Sequence, residues 1–312
     1  MRRALATVVL LAVAACSPAG VADSTSTTST STSTSTTTTA PTTTTTTAPA
    51  TTTSTVAPST TTTAGGLDGD WADLPLIVTA WGAVGWWAGS GWVGSFGSLP
   101  VSGGEDYQVV SVSGSGIVSG GPQIEVCEPL NNLGVELSNP DALGEWPGPF
   151  GVAISAGWAI RPHIFEAFTD DGTYAGHARD LLSARGLAVP SPVITQLFRV
   201  DLEGDGVNEV LVVAEDMPEN FFDAGEENYS IAFLRKVVDG EVQTAIFGAS
   251  VSPESGVEAN TFSIGGVGDL NGDGKMEIVT SGAYYEGAWI EVWEYVDDDI
   301  GPSPQLSQGC GS

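Results

Sequence analysis

Two nonapeptides in the second half of the chain carry oxygen-bearing side chains at a spacing that can wrap a hard cation. The first is Asp201-Leu202-Glu203-Gly204-Asp205-Gly206-Val207-Asn208-Glu209, the second Asp269-Leu270-Asn271-Gly272-Asp273-Gly274-Lys275-Met276-Glu277. Oxygen donors fall at positions 1, 3, 5 and 9, and glycines at 4 and 6. Calcium needs such a pattern, with six to eight hard oxygens at about 2.3–2.6 Å drawn from a loop that coils round the ion. The glycines permit the tight turn, and Val207 and Lys275 at position 7 offer backbone carbonyls. Asp201, Glu203, Asp205 and Glu209 bring four negative charges; Asp269, Asp273 and Glu277 bring three beside neutral Asn271. Carboxylates so close repel one another unless a cation sits among them. An EF-hand loop requires a bidentate Glu at position 12 and a helix on each side. Here position 12 is Val212 or Thr280, and β-branched runs follow at 210–213 and 278–280. The loops are therefore expected between strands, as two calcium sites.

The elements that must hold these loops read as mainly β. Apolar runs rich in β-branched and aromatic residues recur at 76–81, 107–112, 123–127, 150–160, 193–200, 209–214, 229–238, 241–247, 261–267, 277–280 and 288–296, separated by Gly, Pro, Asp and Asn. One segment differs. Residues 173–185 place Ala175, Ala178, Leu181 and Leu182 at helical spacing, with Asp170 or Asp171 as cap and Gly186 as stop. Residues 65–312 hold 39 glycines among 248 residues, which argues for many tight turns and against a helical bundle.

With the loops and their flanking strands in view, the stretches 200–212 and 268–279 resemble FG-GAP repeats, the calcium-loop blades of integrin-type β-propellers and related bacterial surface proteins. The resemblance implies metal ligands at Asp201, Glu203, Asp205, Val207 and Glu209, then at Asp269, Asn271, Asp273, Lys275 and Glu277, with position 7 acting through its carbonyl. Glu203 stands where Asp or Asn is usual in that family, so the second loop is the better match. Two such units cover about 192–299, and their loops lie 68 residues apart, from 201 to 269. The acidic insert 215–227 accounts for that long repeat and is expected to be a solvated loop, as are the acids at 297–299. A full ring of seven blades does not fit the available length. The expectation is a small or partial β-propeller-like domain with one helix, spanning 67–312.

The segments before the domain point outside the cell. Met1-Arg2-Arg3 precedes an apolar run ending in Val13-Ala14-Ala15-Cys16. That run is too short to span a bilayer but suits a secretory signal. Its end resembles a bacterial lipobox, implying a signal peptide over 1–16 and lipidation of Cys16. Residues 17–66 form a linker, and from 24 to 63 there are 32 Ser or Thr in 40 residues with no charge. Such a tract cannot bury enough apolar surface to offset its ordering entropy, so a disordered tether of roughly 35 Å mean span is expected. In an exported chain the two remaining cysteines, Cys127 and Cys310, read as a disulfide.

From residue 66 onward 37 acids face 7 bases. A nucleic acid would be repelled, because its affinity rests on Lys and Arg displacing phosphate counterions. Trp81, Trp86, Trp87 and Trp92 crowd a glycine-rich stretch and read as core in preference to an exposed sugar platform. Gly89, Gly91 and Gly94 match a dinucleotide fingerprint only formally, without a βαβ setting. His163, His177 and Ser155 lack a nucleophile-elbow motif. The sequence thus leads to a calcium-binding protein held on the outer face of the cell membrane by lipidated Cys16, contacting the membrane through that anchor alone. Its β-domain would bind a protein or glycan of the cell envelope without catalysis. The competing expectation is a secreted hydrolase in which the calcium loops are structural supports for a site between 81 and 192.

Overall fold

The computed structural model describes residues 75–94, 98–99, 101–128, 130–144, 148–161, 165–168, 172–294 and 303–311, all within one unit, Gly66–Ser312. Cys16, the Ser/Thr tract, His163, Asp170, Asp171 and the acids at 297–299 lie outside the described residues.

Among the described residues the chain is mainly β, with a single α-helix, and every ladder is antiparallel. The first sheet contains β1 (Leu76–Thr79), β2 (Gly82–Trp87), β3 (Trp92–Gly94), β4 (Asp106–Ser111), β5 (Gly114–Val126), β6 (Asn132–Leu137) and β7 (Val152–Ile154), in the order β3-β2-β1-β7-β4-β5-β6. A second contains β8 (Phe165–Ala167), β9 (Ile194–Val200), β10 (Glu209–Asp216), β11 (Tyr229–Val238) and β12 (Glu241–Val251), in the order β12-β11-β10-β9-β8. The third runs in chain order through β13 (Thr261–Gly268), β14 (Glu277–Tyr284), β15 (Gly287–Glu294) and β16 (Ser303–Gly311). These sheets are open, and no closed ring forms among the described residues.

Alternation along the strands decides how the sheets stack. In β14, Ile278 packs with Leu211, Val213, Ala232 and Leu234 of the second sheet, whereas Val279 packs with Ile77, Val110 and Ile154 of the first. Register carries the same division to β15, where Trp293 lies opposite Ile278 and Val292 opposite Val279. The third sheet is therefore covered on both faces, which is why β14 is buried along nearly its whole length. On the far face of the second sheet Val210, Val212, Ile231 and Phe233 meet α1 (Gly172–Ser183) through Ala178 and Leu182. Gly186, at φ 92°, ends that helix as expected, and the Leu187 N–H closes back on the Leu182 carbonyl (3.1 Å).

Two places show what the sequence pattern hides. The first half of β5 begins in Gly114-Ser115-Gly116 and β16 is a Ser, Pro, Gln and Gly segment, so neither stretch carries an apolar signature, whereas the end of β5 is the run read at 123–127. Both form because a neighbour offers a complete ladder, β4 for one and β15 for the other. Conversely, Gly265 and Gly266 in β13 serve close approach. A Cβ on Gly265 would lie 1.9 Å from the Phe150 carbonyl oxygen, and one on Gly266 2.7 Å from that of Val110. Their absence lets the first sheet sit directly on the β13 backbone, where the Val112 N–H donates to the Gly265 carbonyl (2.7 Å).

The C-terminal strand is stapled back to the first sheet. Cys127, at the end of β5, is bonded to Cys310 on β16 across a sequence separation of 183. In the chain-entropy model a loop this long contributes about 5 kcal/mol. Nearby, the Asn132 amide donates to the carbonyls of Trp81 (3.0 Å) and Gly309 (2.8 Å), bridging the same two sheets.

Candidate functional site

Both nonapeptides sit where the sequence places them, each between two neighbouring strands of an antiparallel sheet. The first joins β9 to β10 and the second joins β13 to β14. Each is anchored by its position-2 leucine, Leu202 and Leu270, both without solvent exposure. Burying such a side chain stabilises by roughly 1.5–3 kcal/mol, so the loop roots are rigid while the tips stay in water.

Above the roots the two loops repeat one hydrogen-bond scheme. At position 1, Asp201 accepts from the N–H of Gly204 (2.8 Å) and Gly206 (3.0 Å), and Asp269 from Gly272 (2.6 Å) and Gly274 (3.2 Å). At position 5, Asp205 and Asp273 accept from the N–H of Val207 and Lys275, both at 2.7 Å. At position 9, Glu209 and Glu277 accept from Leu202 (3.0 Å) and Leu270 (2.6 Å). The glycines supply the curvature, with φ between 72° and 86° at Gly204, Gly206, Gly272 and Gly274. A further bond couples the loops, from the Met276 N–H to the Leu202 carbonyl (2.8 Å).

Position 3 is where they part. The Glu203 carboxylate accepts from the Lys236 ammonium at 2.7 Å, and that lysine is 7% exposed. In the second loop, Asn271 accepts from the Asp273 N–H (2.9 Å) and its amide donates to Glu294 (3.4 Å). Trp158, which the sequence does not mark, lies against the second loop. Its indole N–H donates to the Asp269 carbonyl (2.9 Å), and its ring would lie 3.3 Å from a Cβ on Gly272.

The charges are held at a cost. Glu209 and Glu277 are each 1% exposed. Burial pushes Glu277 up to about 9; the Leu270 N–H opposes this, while Asp273, Asp269 and Glu294 add to it. Burial also lifts Glu209 to about 7, again opposed by a backbone N–H, from Leu202; Glu203 adds to the rise and Lys236 offsets part of it. Asp269 is raised by burial against the amides of Gly272 and Gly274. Among the described residues no three His, Cys, Asp or Glu side chains are gathered as a metal centre.

Among the described residues, Ser155 and His177 have separate partners. Ser155 accepts from the Leu76 N–H (2.9 Å) at the end of the first sheet, while His177 lies on α1, 3.3 Å from the Arg235 guanidinium. Trp86 is core at 5% exposure, and Trp81 and Trp92 pack in part beneath the third sheet. The Gly89–Gly94 stretch is an antiparallel hairpin and no helix follows it. Glu215 corrects the expectation for the acidic insert: it belongs to β10, half-buried, and accepts from the Ser230 hydroxyl (2.6 Å). A cleft of about 430 Å³ beside the disulfide is lined by Trp81, Tyr284, Tyr285, Glu128 and Glu286, which the sequence does not bring together.

No protein-family model matches the chain, and neither the curated proteins nor the solved structures contain a match to it.

The electrostatics give a pH dependence. A carboxyl whose folded pKa is raised contributes stability that is complete below its ordinary value of 4.5 and is lost as pH rises through the folded value. In chelator, the melting temperature should fall as pH rises from about 5, with Glu209 contributing up to about pH 7 and Glu277 up to about pH 9. Glu277→Gln should remove the upper part of that fall. A melting temperature that stays flat or rises over this window in thermal scans would contradict the assignment.

Proposed function

We propose that this chain is a lipid-anchored, calcium-binding protein of the cell envelope whose β-domain binds a partner without transforming it. The observation that carries the reading is the repeated loop: one hydrogen-bond scheme, built twice at an offset of 68 residues around buried carboxylates. Each loop opens a four-stranded antiparallel meander, β9 to β12 and then β13 to β16, as a blade of FG-GAP type would. The insert that lengthens the first unit is the connection 217–228, where the second has only Tyr285 and Glu286. On this reading the two meanders are neighbouring blades of a small or partial propeller.

The donor set suits calcium. Asp269, Asn271, Asp273, Glu277 and the Lys275 carbonyl are all hard oxygens, and a carboxylate oxygen that accepts one N–H retains a lone pair for a cation. Bound calcium would supply the positive charge that Glu277 and Asp269 lack. Its role is structural: at millimolar calcium and a dissociation constant of about 0.1–1 mM, each site adds roughly 0.4–1.4 kcal/mol.

The tether and the cleft complete the proposal. Cys16 would hold the chain to the outer membrane face, and the Ser/Thr tract would carry the domain outward through the envelope. No helix among the described residues is long and apolar enough to cross a membrane. The cleft beside Cys127–Cys310 offers indole and phenol faces together with two carboxylates, the chemistry that sugar rings and cationic peptide groups recognise.

Two experiments test the reading. Excess calcium over chelator should raise the melting temperature of the purified chain by about 1–5 °C, with the gain reduced in Asp273→Ala; no shift would refute calcium binding. Labelled palmitate fed to cells should remain with the wild-type chain and be lost from Cys16→Ala, and equal labelling of both would remove the anchor.

A further inference from the structure

The two units can be superimposed residue by residue through their ladders. The residue after position 9 of each loop is Val210 in one and Ile278 in the other. Val210 pairs with Arg235 on β11, and Ile278 pairs with Trp293 on β15. The next residue along that third strand is Lys236 in the first unit and Glu294 in the second. Each reaches position 3 of its own loop. Lys236 donates to Glu203 at 2.7 Å, and Glu294 accepts from Asn271 at 3.4 Å. At one structural position the first loop thus meets an ammonium and the second a carboxylate.

From this exchange we infer that the loop at 201–209 is closed by a built-in cation, Lys236, and that calcium is held by the loop at 269–277 alone. The inference rests on the calcium reading above and narrows it from two sites to one. With the pair 7% and 23% exposed on its two sides, the ammonium is shielded from water and has Glu203 as its counter-ion. Pulling Glu203 away toward a metal would break this short ion pair and set the ammonium beside a doubly charged ion, an arrangement disfavoured by like-charge repulsion. Without Glu203 the first loop keeps only positions 1, 5 and 9 of its four oxygen-bearing side chains at the spacing 1, 3, 5 and 9. The longer Glu at position 3 has a reason on this account: its extra methylene reaches outward to the lysine. In the second loop the short Asn271 stays over the turn, its oxygen accepting from the Asp273 N–H, and Glu294 adds negative charge nearby.

Calorimetric titration of calcium into the full chain tests this, with terbium luminescence sensitised by Trp158 as a local report on the second loop. The expected result is one ion per wild-type chain, lost in Asp273→Ala, and a second, weaker site in Lys236→Met. Two ions per wild-type chain, one of them lost in Asp205→Ala, would overturn the inference and leave the calcium reading standing. A stoichiometry that stays at one in Lys236→Met would also overturn it, since the lysine would not be what closes the loop. No calcium bound by either wild type or Lys236→Met would overturn both.

Discussion

Two carboxylates kept out of water organise this half of the molecule. Glu209 and Glu277 open β10 and β14, and each draws its own loop into a turn by accepting the N–H of the buried leucine at position 2. A buried carboxylate is tolerated only when hydrogen-bonded and compensated in charge. The backbone meets the first requirement in both loops. The second is met differently: Lys236 offsets part of the rise at Glu209, whereas Asp273, Asp269 and Glu294 add to the rise at Glu277.

That imbalance reaches beyond the loops because of how the sheets stack. The third sheet is covered on both faces, and its strand β14 begins at Glu277. Met276, just before it, is bonded to Leu202 in the other loop, so the two roots are braced against each other. Trp158, arriving from the first sheet, caps the Asp269 carbonyl. A cation in the second loop would consequently relieve strain of charge at a point where three sheets are tied together, which is the sense in which its role is structural.

Much of this was legible in the sequence, for physical reasons that differ by element. The loops were readable because αL turns at the glycines, closed by carboxylates on the loop amides, leave few residue choices. Strands such as β11 and β14 were readable because faces buried on both sides demand apolar runs. The helix was readable from Ala178 and Leu182 at their spacing and from Gly186. Segments that lean on a neighbour were not: the first half of β5 starts in glycine and serine, and β16 is held by the β15 ladder and the Cys127–Cys310 bond. Nor could a linear pattern show that Lys236 lies over Glu203, because that pairing depends on how β11 registers with β10. The Trp81–Tyr284 cleft likewise joins residues from opposite ends of the domain.

The β-domain thus carries paired loops that differ in what partners one shared scheme of acids. The central claim is a divalent ion inside residues 269–277. The most direct measurement is anomalous scattering from crystals grown in calcium. The account predicts a peak within about 2.3–2.6 Å of oxygens from Asp269, Asn271, Asp273, Lys275 and Glu277. A map with those side chains ordered and no peak among them would contradict it.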